Sequence, residues 1–277
     1  MTGPLPSFVV IGAMKTGTTT LARWLAEHPA VAEPGEKEPE FFIDESRWAR
    51  GLEWYRSLYA GTGPGQVTFD ASVRYSAADL ADVAAARLAT TLPDARLVYV
   101  VRDPVARARS QHQHQWRMRR ERRSFVEACT LESPYVRDGL YHSIIERYLQ
   151  HVDPARLLVV RSEDLRSPDG DAWPRILEHI GVGPFSPSGR LSNVSDDKPD
   201  VSALGRWVRR QPWVHRLRLP APLRPLARSL MFRAPTTAPT GDGELAPEVL
   251  DAFRRDAERL RAWLGREQPL WPSLGPS

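Results

Sequence analysis

The chain has 277 residues, 42% of them hydrophobic and 26% charged, which predicts a soluble globular protein with one sizeable α/β domain. A formal net charge of +4 favours an anionic ligand of cofactor size, and we expect no nucleic-acid partner. The single cysteine, Cys129, excludes an internal disulfide and a cysteine-based zinc site.

The N-terminus gives way to a predicted strand after a few residues, without the basic region of a signal peptide. No apolar run approaches the length needed to span a membrane. We therefore expect a cytoplasmic protein with no transmembrane segment.

The first predicted elements are a strand, a glycine-containing turn and a helix over residues 8–27. The strand, residues 8–11, is an unbroken apolar run typical of a buried parallel sheet. Gly12 and Gly17 allow the backbone N–H groups of the turn to point at an anion, which the helix N-terminus also attracts. Lys15 and four hydroxyl groups add donors. The hydroxyl groups belong to Thr16, Thr18, Thr19 and Thr20.

The order of residues in this turn distinguishes it from a Walker A loop, in which the lysine follows the second glycine. Here Lys15 precedes Gly17, and Thr18 follows it. The turn resembles the 5'-phosphosulfate loop of sulfotransferases that use 3'-phosphoadenosine-5'-phosphosulfate (PAPS). The alternative is an ordinary strand-to-helix turn with an incidental lysine.

An acidic segment over residues 36–42 is predicted to be an ordered loop, because Pro39 and its charged neighbours suit neither a helix interior nor a central strand. Composition alone indicates a solvated loop anchored by Phe41 and Phe42. An amphipathic helix is predicted to follow over residues 47–59.

The segments 15–21, 37–42 and 51–55 together resemble the heparan sulfate N- and 3-O-sulfotransferases and their bacterial relatives. By this resemblance Glu38 matches the proposed catalytic base of those enzymes. The family often has His or Gln where this chain has Glu40, which implies a different acceptor environment.

A second strand is predicted over residues 66–69, followed by the sequence Asp70-Ala71-Ser72. The heparan sulfate enzymes carry Glu-Lys-Ser or Glu-Lys-Thr there, and their lysine faces the reaction centre. Ala71 takes the place of that lysine, so either Arg74 replaces its charge or the protein works without it. A helix is predicted over residues 77–92, where Pro93 ends it.

A strongly apolar strand is predicted over residues 96–101, with a long polar helix after it. Asp103 suits the N-cap of that helix and Pro104 its first turn. By resemblance to PAPS-dependent enzymes, Arg102 and Ser110 would bind the 3'-phosphate. Taken alone, Arg102 is equally typical of a solvated surface charge.

His112 and His114 lie two residues apart on this helix and so do not share a face, which argues against a chelating pair. His114 matches a histidine that borders the acceptor cleft of the N-sulfotransferases. If Glu38 is not the catalytic base, Asp70 and His114 are the next candidates. Further along, Tyr141 would either line the adenine side or belong to the core.

The predicted alternation of strands and helices ends after residue 189. A single domain is predicted for residues 1–277: an α/β core over 7–189, a basic lid-like segment over 190–243, and a C-terminal helix and tail over 244–277. Lys198 in the lid-like segment is the best match to a basic residue of the family's cofactor-covering loop.

We predict a mostly parallel sheet flanked by helices, with the ligand at the carboxyl ends of the strands. The resemblance implies transfer of a sulfuryl group from PAPS to a hydroxyl or amine of a carbohydrate or small molecule, releasing 3',5'-ADP without a metal. Glu38 would take the acceptor proton and Lys15 would stabilise charge on the departing phosphate. The alternatives are an ATP-dependent P-loop kinase and a non-catalytic protein that binds PAPS or 3',5'-ADP. The acceptor and the oligomeric state stay open.

Overall fold

A five-stranded parallel sheet forms the centre of the computed structural model, which describes residues 2–165, 170–188, 200–201, 232–233, 237–241 and 244–274. Its strands are β1 (Phe8–Gly12), β2 (Val31–Ala32), β3 (Val67–Asp70), β4 (Arg96–Val101) and β5 (Leu157–Arg161). Their order across the sheet is β2-β3-β1-β4-β5, and every neighbouring pair is parallel. The predicted fold class, a parallel sheet flanked by helices, is confirmed.

Helices connect the strands and cover both faces of the sheet. In chain order they are α1 (Thr18–Glu27), α2 (Glu45–Trp48), α3 (Gly51–Ser57), α4 (Ala81–Thr91), α5 (Pro104–Arg117), α6 (Phe125–Ala128), α7 (Pro134–Arg137), α8 (Tyr141–Tyr148), α9 (Ala172–Ile180) and α10 (Pro247–Trp263). Short 3₁₀ turns span Val73–Ser76, Pro154–Arg156, Ser162–Leu165 and Pro272–Leu274.

Strand β4 shows why the sheet needs a helix layer on each side. Side chains alternate across a strand, yet Leu97 through Val101 are all fully buried. Leu97, Tyr99 and Val101 belong to one apolar cluster, whereas Val98 and Val100 belong to a second. The strand therefore lies between two cores, as its unbroken apolar sequence predicts.

The two cores are built by different helices. Trp24 of α1 and Trp173 of α9 meet edge to face on one side, with ring centroids 5.6 Å apart. On the other side, Leu88 of α4, Ile145 of α8 and Phe253 of α10 share the larger core. The C-terminal helix is thus an integral part of the α/β domain.

Some predicted element bounds are wrong. The single helix expected over residues 47–59 is two helices, α2 and α3, because Gly51 adopts φ +78° and breaks the run. The helix expected from residue 77 begins at Ala81, after the 3₁₀ turn Val73–Ser76. The two-residue edge strand β2 was not predicted.

The region in which no βα pattern was expected contains a short antiparallel pair of strands, β6 (Asp200–Val201) and β7 (Phe232–Arg233). Within the described parts of the chain, we find no helix whose length and apolarity would let it cross a membrane.

Candidate functional site

The turn after β1, residues 12–17, has a backbone that requires glycine at its start. Gly12 has φ +146°, and a Cβ atom there would lie 1.9 Å from the Ser76 Oγ atom. Gly17 and Lys15 also adopt positive φ angles, of 92° and 70°. These angles turn the chain sharply between the strand and α1, as the two glycines predicted.

Hydrogen bonds fix this turn from within. The Ala13 N–H donates to the Val100 carbonyl oxygen at 2.8 Å, which ties the turn to β4. The Thr16 hydroxyl donates to the Ala13 carbonyl oxygen at 2.7 Å and is buried. The hydroxyl of Thr16 thus contributes to the shape of the turn, and its contact with a phosphate stays a prediction.

Helix α1 begins directly after this turn. Its N-cap is Gly17, which offers no side-chain cap, and its first turn carries no acidic residue. The first N–H groups of a helix lack partners within the helix and carry its positive end. Thr18 is buried, while Thr19 is exposed and Thr20 is half-buried. The arrangement suits an anion at the start of α1.

Arg102, at the end of β4, contacts the turn directly. Its Nη1 atom donates a hydrogen bond of 3.2 Å to the Lys15 carbonyl oxygen. The hydroxyl of the fully buried Tyr141 donates to the Arg102 carbonyl oxygen at 2.8 Å. Of the two predictions for Tyr141, the core residue is therefore the one observed. Burial raises the pKa of its phenol well above its usual value.

The N-terminus of α5 is capped as predicted. The Asp103 side chain accepts a hydrogen bond from the Ala106 N–H at 2.8 Å, and Pro104 occupies the first turn. The other carboxylate oxygen of Asp103 accepts from the Ser273 hydroxyl, and its backbone N–H donates to Glu163 Oε1 at 3.1 Å. The cap thereby links α5 to the C-terminal segment and to the turn after β5.

A cleft of about 600 Å³ opens beside Arg102, and Ser110 lines the same cleft. The structure thus brings together the two residues predicted to hold a 3'-phosphate. The full lining consists of Arg102, Asp103, Val105, Ala106, Arg109, Ser110, Gln113, Arg117, Glu163, Thr237 and Ser273.

Arg109 and Arg117 are cleft residues that the sequence analysis did not single out. With Arg102 they are three arginines among the residues that line one cavity, a residue type suited to phosphate. The Arg109 guanidinium lies 4.6 Å from the centroid of the Phe125 ring, which fixes its position. Helical spacing could have found Arg117, because it lies seven residues after Ser110 and therefore on the same face of α5.

His114 lies near Lys15 on an exposed part of α5. Burial lowers the pKa of His114 below its ordinary value, and the nearby positive charges of Lys15, Arg120 and Arg117 lower it further. These effects favour the neutral form of the imidazole. His112 is buried elsewhere, with Nε2 2.9 Å from the Arg123 carbonyl oxygen.

The acidic loop, residues 36–44, has an unusual backbone. Glu38 and Glu40 are non-glycine residues in the left-handed region, with φ 52° and 49°. The Arg47 guanidinium donates to the carbonyl oxygens of Glu38, at 3.2 Å, and Pro39. The same guanidinium pairs with the Glu36 carboxylate at 2.8 Å. The loop is ordered, as predicted, and Phe41 and Phe42 anchor it in the core.

The carboxylates of the two left-handed residues have cationic neighbours. Glu38 Oε1 lies 3.8 Å from Lys37 Nζ, and Glu40 Oε2 accepts a hydrogen bond of 2.9 Å from Arg74 Nη1. The sequence left open whether Arg74 replaces the lysine charge that is absent at Ala71 or the protein works without it. In the structure the Arg74 guanidinium pairs with the Glu40 carboxylate. Neighbouring Asp70 is fully buried, and burial raises its pKa against the opposing effect of three hydroxyl donors.

Lys198 lies outside the described residues, as does most of the segment 190–233, so the predicted lid stays a prediction. Across the described ranges, no group of three or more His, Cys, Asp or Glu side chains is arranged to hold a metal ion. Cys129 is buried, and its burial raises the pKa of the thiol to about 12.

Comparison with known proteins identifies similar sequences. The family described as "Sulfotransferase domain" matches residues 5–188. The mouse heparan sulfate glucosamine 3-O-sulfotransferase 3B1 is 32% identical over 188 residues, 64% of this chain and 46% of the relative. The mouse bifunctional heparan sulfate N-deacetylase/N-sulfotransferase 3 is 30% identical over 200 residues, 65% of this chain and 23% of the relative. The chain thus spans less than half the length of these relatives.

A solved structure has the same fold. The sulfotransferase from Alicyclobacillus acidocaldarius superposes with a TM-score of 0.66 and 24% sequence identity. The match covers 96% of this chain and 98% of that protein, so the shared fold extends beyond residues 5–188.

Proposed function

Because the chain belongs to the sulfotransferase domain family, we propose that it transfers a sulfuryl group from PAPS to a hydroxyl or amine of a carbohydrate. The second product would be 3',5'-ADP. The observation that carries the proposal is the hydrogen bond from Arg102 to the Lys15 carbonyl oxygen. It joins the turn suited to a 5'-phosphosulfate to the cleft suited to a 3'-phosphate.

The residues of both regions fit the donor. The positive φ angles of Gly12 and Gly17 shape the turn, and the N-terminus of α1 has no acidic residue to repel an anion. Arg102 and Ser110 would hold the 3'-phosphate, with Arg109 and Arg117 adding positive charge to the same cleft. When bound, PAPS supplies an activated sulfuryl group and 3',5'-ADP as its leaving group.

Lys15 would stabilise the negative charge that develops on the departing phosphate oxygen. Its left-handed backbone places it inside the turn, between the strand and the start of α1. Preorganised donors of this kind favour a transition state because they need no rearrangement as charge develops. His114, which lies near Lys15 and whose pKa is lowered, would border the acceptor.

Glu38 would remove the acceptor proton. Its carboxylate is part of a loop whose backbone is held by Arg47, and the side chain is one-third exposed. A partly exposed carboxylate can reach an acceptor hydroxyl and still exchange its proton with water. The neighbouring Glu40–Arg74 pair would give the acceptor region both signs of charge.

A carbohydrate is the acceptor class we propose, because the relatives described above act on heparan sulfate or its glucosamine, according to their names. The first acceptors to test are therefore glucosamine oligosaccharides with a free amine and with an N-acetyl group. Location of the sulfate on nitrogen or on oxygen by tandem mass spectrometry of the product would show whether an amine or a hydroxyl is modified.

The test combines nucleotide binding with product detection. The proposal predicts that 3',5'-ADP raises the melting temperature more than 5'-AMP or Mg·ATP does. With PAPS and an acceptor, mass spectrometry should detect the sulfated sugar and 3',5'-ADP together. Stabilisation by Mg·ATP alone would indicate a kinase. Binding of 3',5'-ADP without transfer to any member of a broad acceptor panel would indicate a binding protein.

A further inference from the structure

Ser72 forms a buried bridge between the end of β3 and the acidic loop. Its hydroxyl donates to Asp70 Oδ1 at 2.6 Å. The Ser72 Oγ atom also accepts a hydrogen bond from the Glu40 N–H at 2.9 Å. The side chain of Ser72 is fully buried, so its bond to Asp70 is shielded from water, and the bond from the Glu40 amide is partly buried.

Asp70 is a fixed anchor for this bridge. It is the last residue of β3, and its side chain has no exposed surface. Its Oδ2 atom accepts hydrogen bonds from the Tyr55 hydroxyl at 2.9 Å and the Tyr75 hydroxyl at 2.8 Å. Because the carboxylate is buried and bonded to three hydroxyl groups, it is poorly placed to act on a substrate. Its contacts instead define where Ser72 sits.

The backbone of the acidic loop depends on contacts such as this hydrogen bond to Ser72. Left-handed backbone is unfavourable at residues with a Cβ atom, and it persists only where surrounding contacts determine it. Glu38 and Glu40 both have this conformation. Arg47 holds the carbonyl oxygens of Glu38 and Pro39, and Ser72 holds the amide of Glu40. The backbone around Glu38 is therefore fixed from two sides by different elements.

We propose that Ser72 is a positioning residue for the reaction: through its bond to the Glu40 amide it fixes the loop that carries Glu38. The proposal rests on the proposed function, in which Glu38 is the base. Proton transfer needs the base within hydrogen-bond reach of the acceptor. Release of the Glu40 amide would let the loop shift, and a misplacement of about 1 Å can cost roughly 10²-fold in rate.

The decisive comparison is between Ser72→Ala and Tyr55→Phe. Both variants remove one hydrogen bond from Asp70, but only Ser72→Ala releases the Glu40 amide. Tyr55→Phe keeps the ring, which stacks on Phe41 with centroids 4.4 Å apart. Both variants should lose stability, Ser72→Ala by one further hydrogen bond, and only Ser72→Ala should change the geometry of the loop.

For Ser72→Ala we expect kcat to fall by about 10- to 100-fold, with KM for PAPS and the affinity for 3',5'-ADP within about twofold of the wild type. Tyr55→Phe should keep a kcat close to that of the wild type. Equal losses of kcat in the two variants, or a wild-type kcat in Ser72→Ala, would overturn the proposal.

Amide hydrogen exchange tests the bridge without an activity assay. In the wild-type protein the Glu40 amide should exchange slowly, and it should stay protected in Tyr55→Phe. Fast exchange of this amide in the wild type would overturn the proposal even if Ser72→Ala fails to fold. Glu38→Gln, measured in parallel, separates the two claims: full activity of that variant would reject Glu38 as the base, whereas the exchange result judges the bridge.

Discussion

Arg102 and Lys15 are joined by a hydrogen bond of 3.2 Å from the Arg102 guanidinium to the Lys15 carbonyl oxygen. The bond crosses from the end of β4 to the turn after β1, and these two strands are neighbours in the sheet. One arginine therefore contributes to the shape of the turn and to the charge of the cleft. Since the Ala13–Val100 and Thr16–Ala13 hydrogen bonds also hold the turn, substitution of Arg102 should affect mainly the cleft.

Lys15→Ala should lower kcat by about 10²- to 10³-fold, because one preorganised donor at the reaction centre is lost. The fold should be little disturbed, since the predicted role of the side chain concerns charge and not packing. Steady-state kinetics with PAPS and a melting curve would check both statements. A kcat near that of the wild type would remove Lys15 from the reaction.

Glu38→Gln should abolish most transfer to a hydroxyl acceptor and leave the affinity for 3',5'-ADP nearly unchanged, because it keeps the shape of the side chain and deletes its basicity. Glu53→Gln is the matched control, since Glu53 is an exposed residue of α3. Transfer rates and nucleotide titrations on both variants make the comparison. Normal transfer by Glu38→Gln across the pH range would place the base elsewhere.

The contribution of His114 to stability should fall as the pH drops below about 6.5, the ordinary pKa of histidine. The pKa of His114 is lowered in the folded state, so near that pH this residue binds more protons in the unfolded chain than in the folded chain. Its contribution to stability therefore rises with pH through this window. His179, whose pKa burial also lowers, adds to the same slope. Urea unfolding at several pH values should show a smaller slope for His114→Gln, and an unchanged slope would contradict this reading.

Cys129 should react slowly with thiol reagents in the folded protein. The side chain is buried, and burial raises the pKa of its thiol to about 12, so little thiolate is present at pH 8. A colorimetric thiol assay should show slow modification in buffer and rapid modification in denaturant. Fast modification of the native protein would mean that the α6 region opens readily.

The sheet and the phosphate turn could be predicted because their signals are local. The apolar run of β4 and the caps of α5 gave the observed bounds, and the glycines at 12 and 17 gave the turn. The break at Gly51 was missed because glycine is tolerated inside an amphipathic pattern and only its positive φ reveals the interruption.

The wall of the cleft could not be predicted in the same way. Thr237 and Ser273 reach it from segments more than a hundred residues away from Arg102, and no periodicity connects such positions. The same holds for the buried contacts of Asp70, because its partner Tyr55 lies on another element. The sequence made Asp70 an alternative candidate for the catalytic base. Its burial and its three hydroxyl partners instead give it a structural role.

The central claim is that the cleft beside Arg102 receives the 3'-phosphate of the donor. Calorimetric titration of 3',5'-ADP and 5'-AMP into the wild type and Arg102→Ala tests it, with Arg96→Ala as a control at the opposite end of the same strand. A hydrogen bond to a charged group contributes about 1.5 to 3 kcal/mol. Arg102→Ala should therefore lose roughly 10- to 150-fold in affinity for 3',5'-ADP, and much less for 5'-AMP. Equal losses for the two nucleotides, or a wild-type affinity of Arg102→Ala for 3',5'-ADP, would contradict the claim.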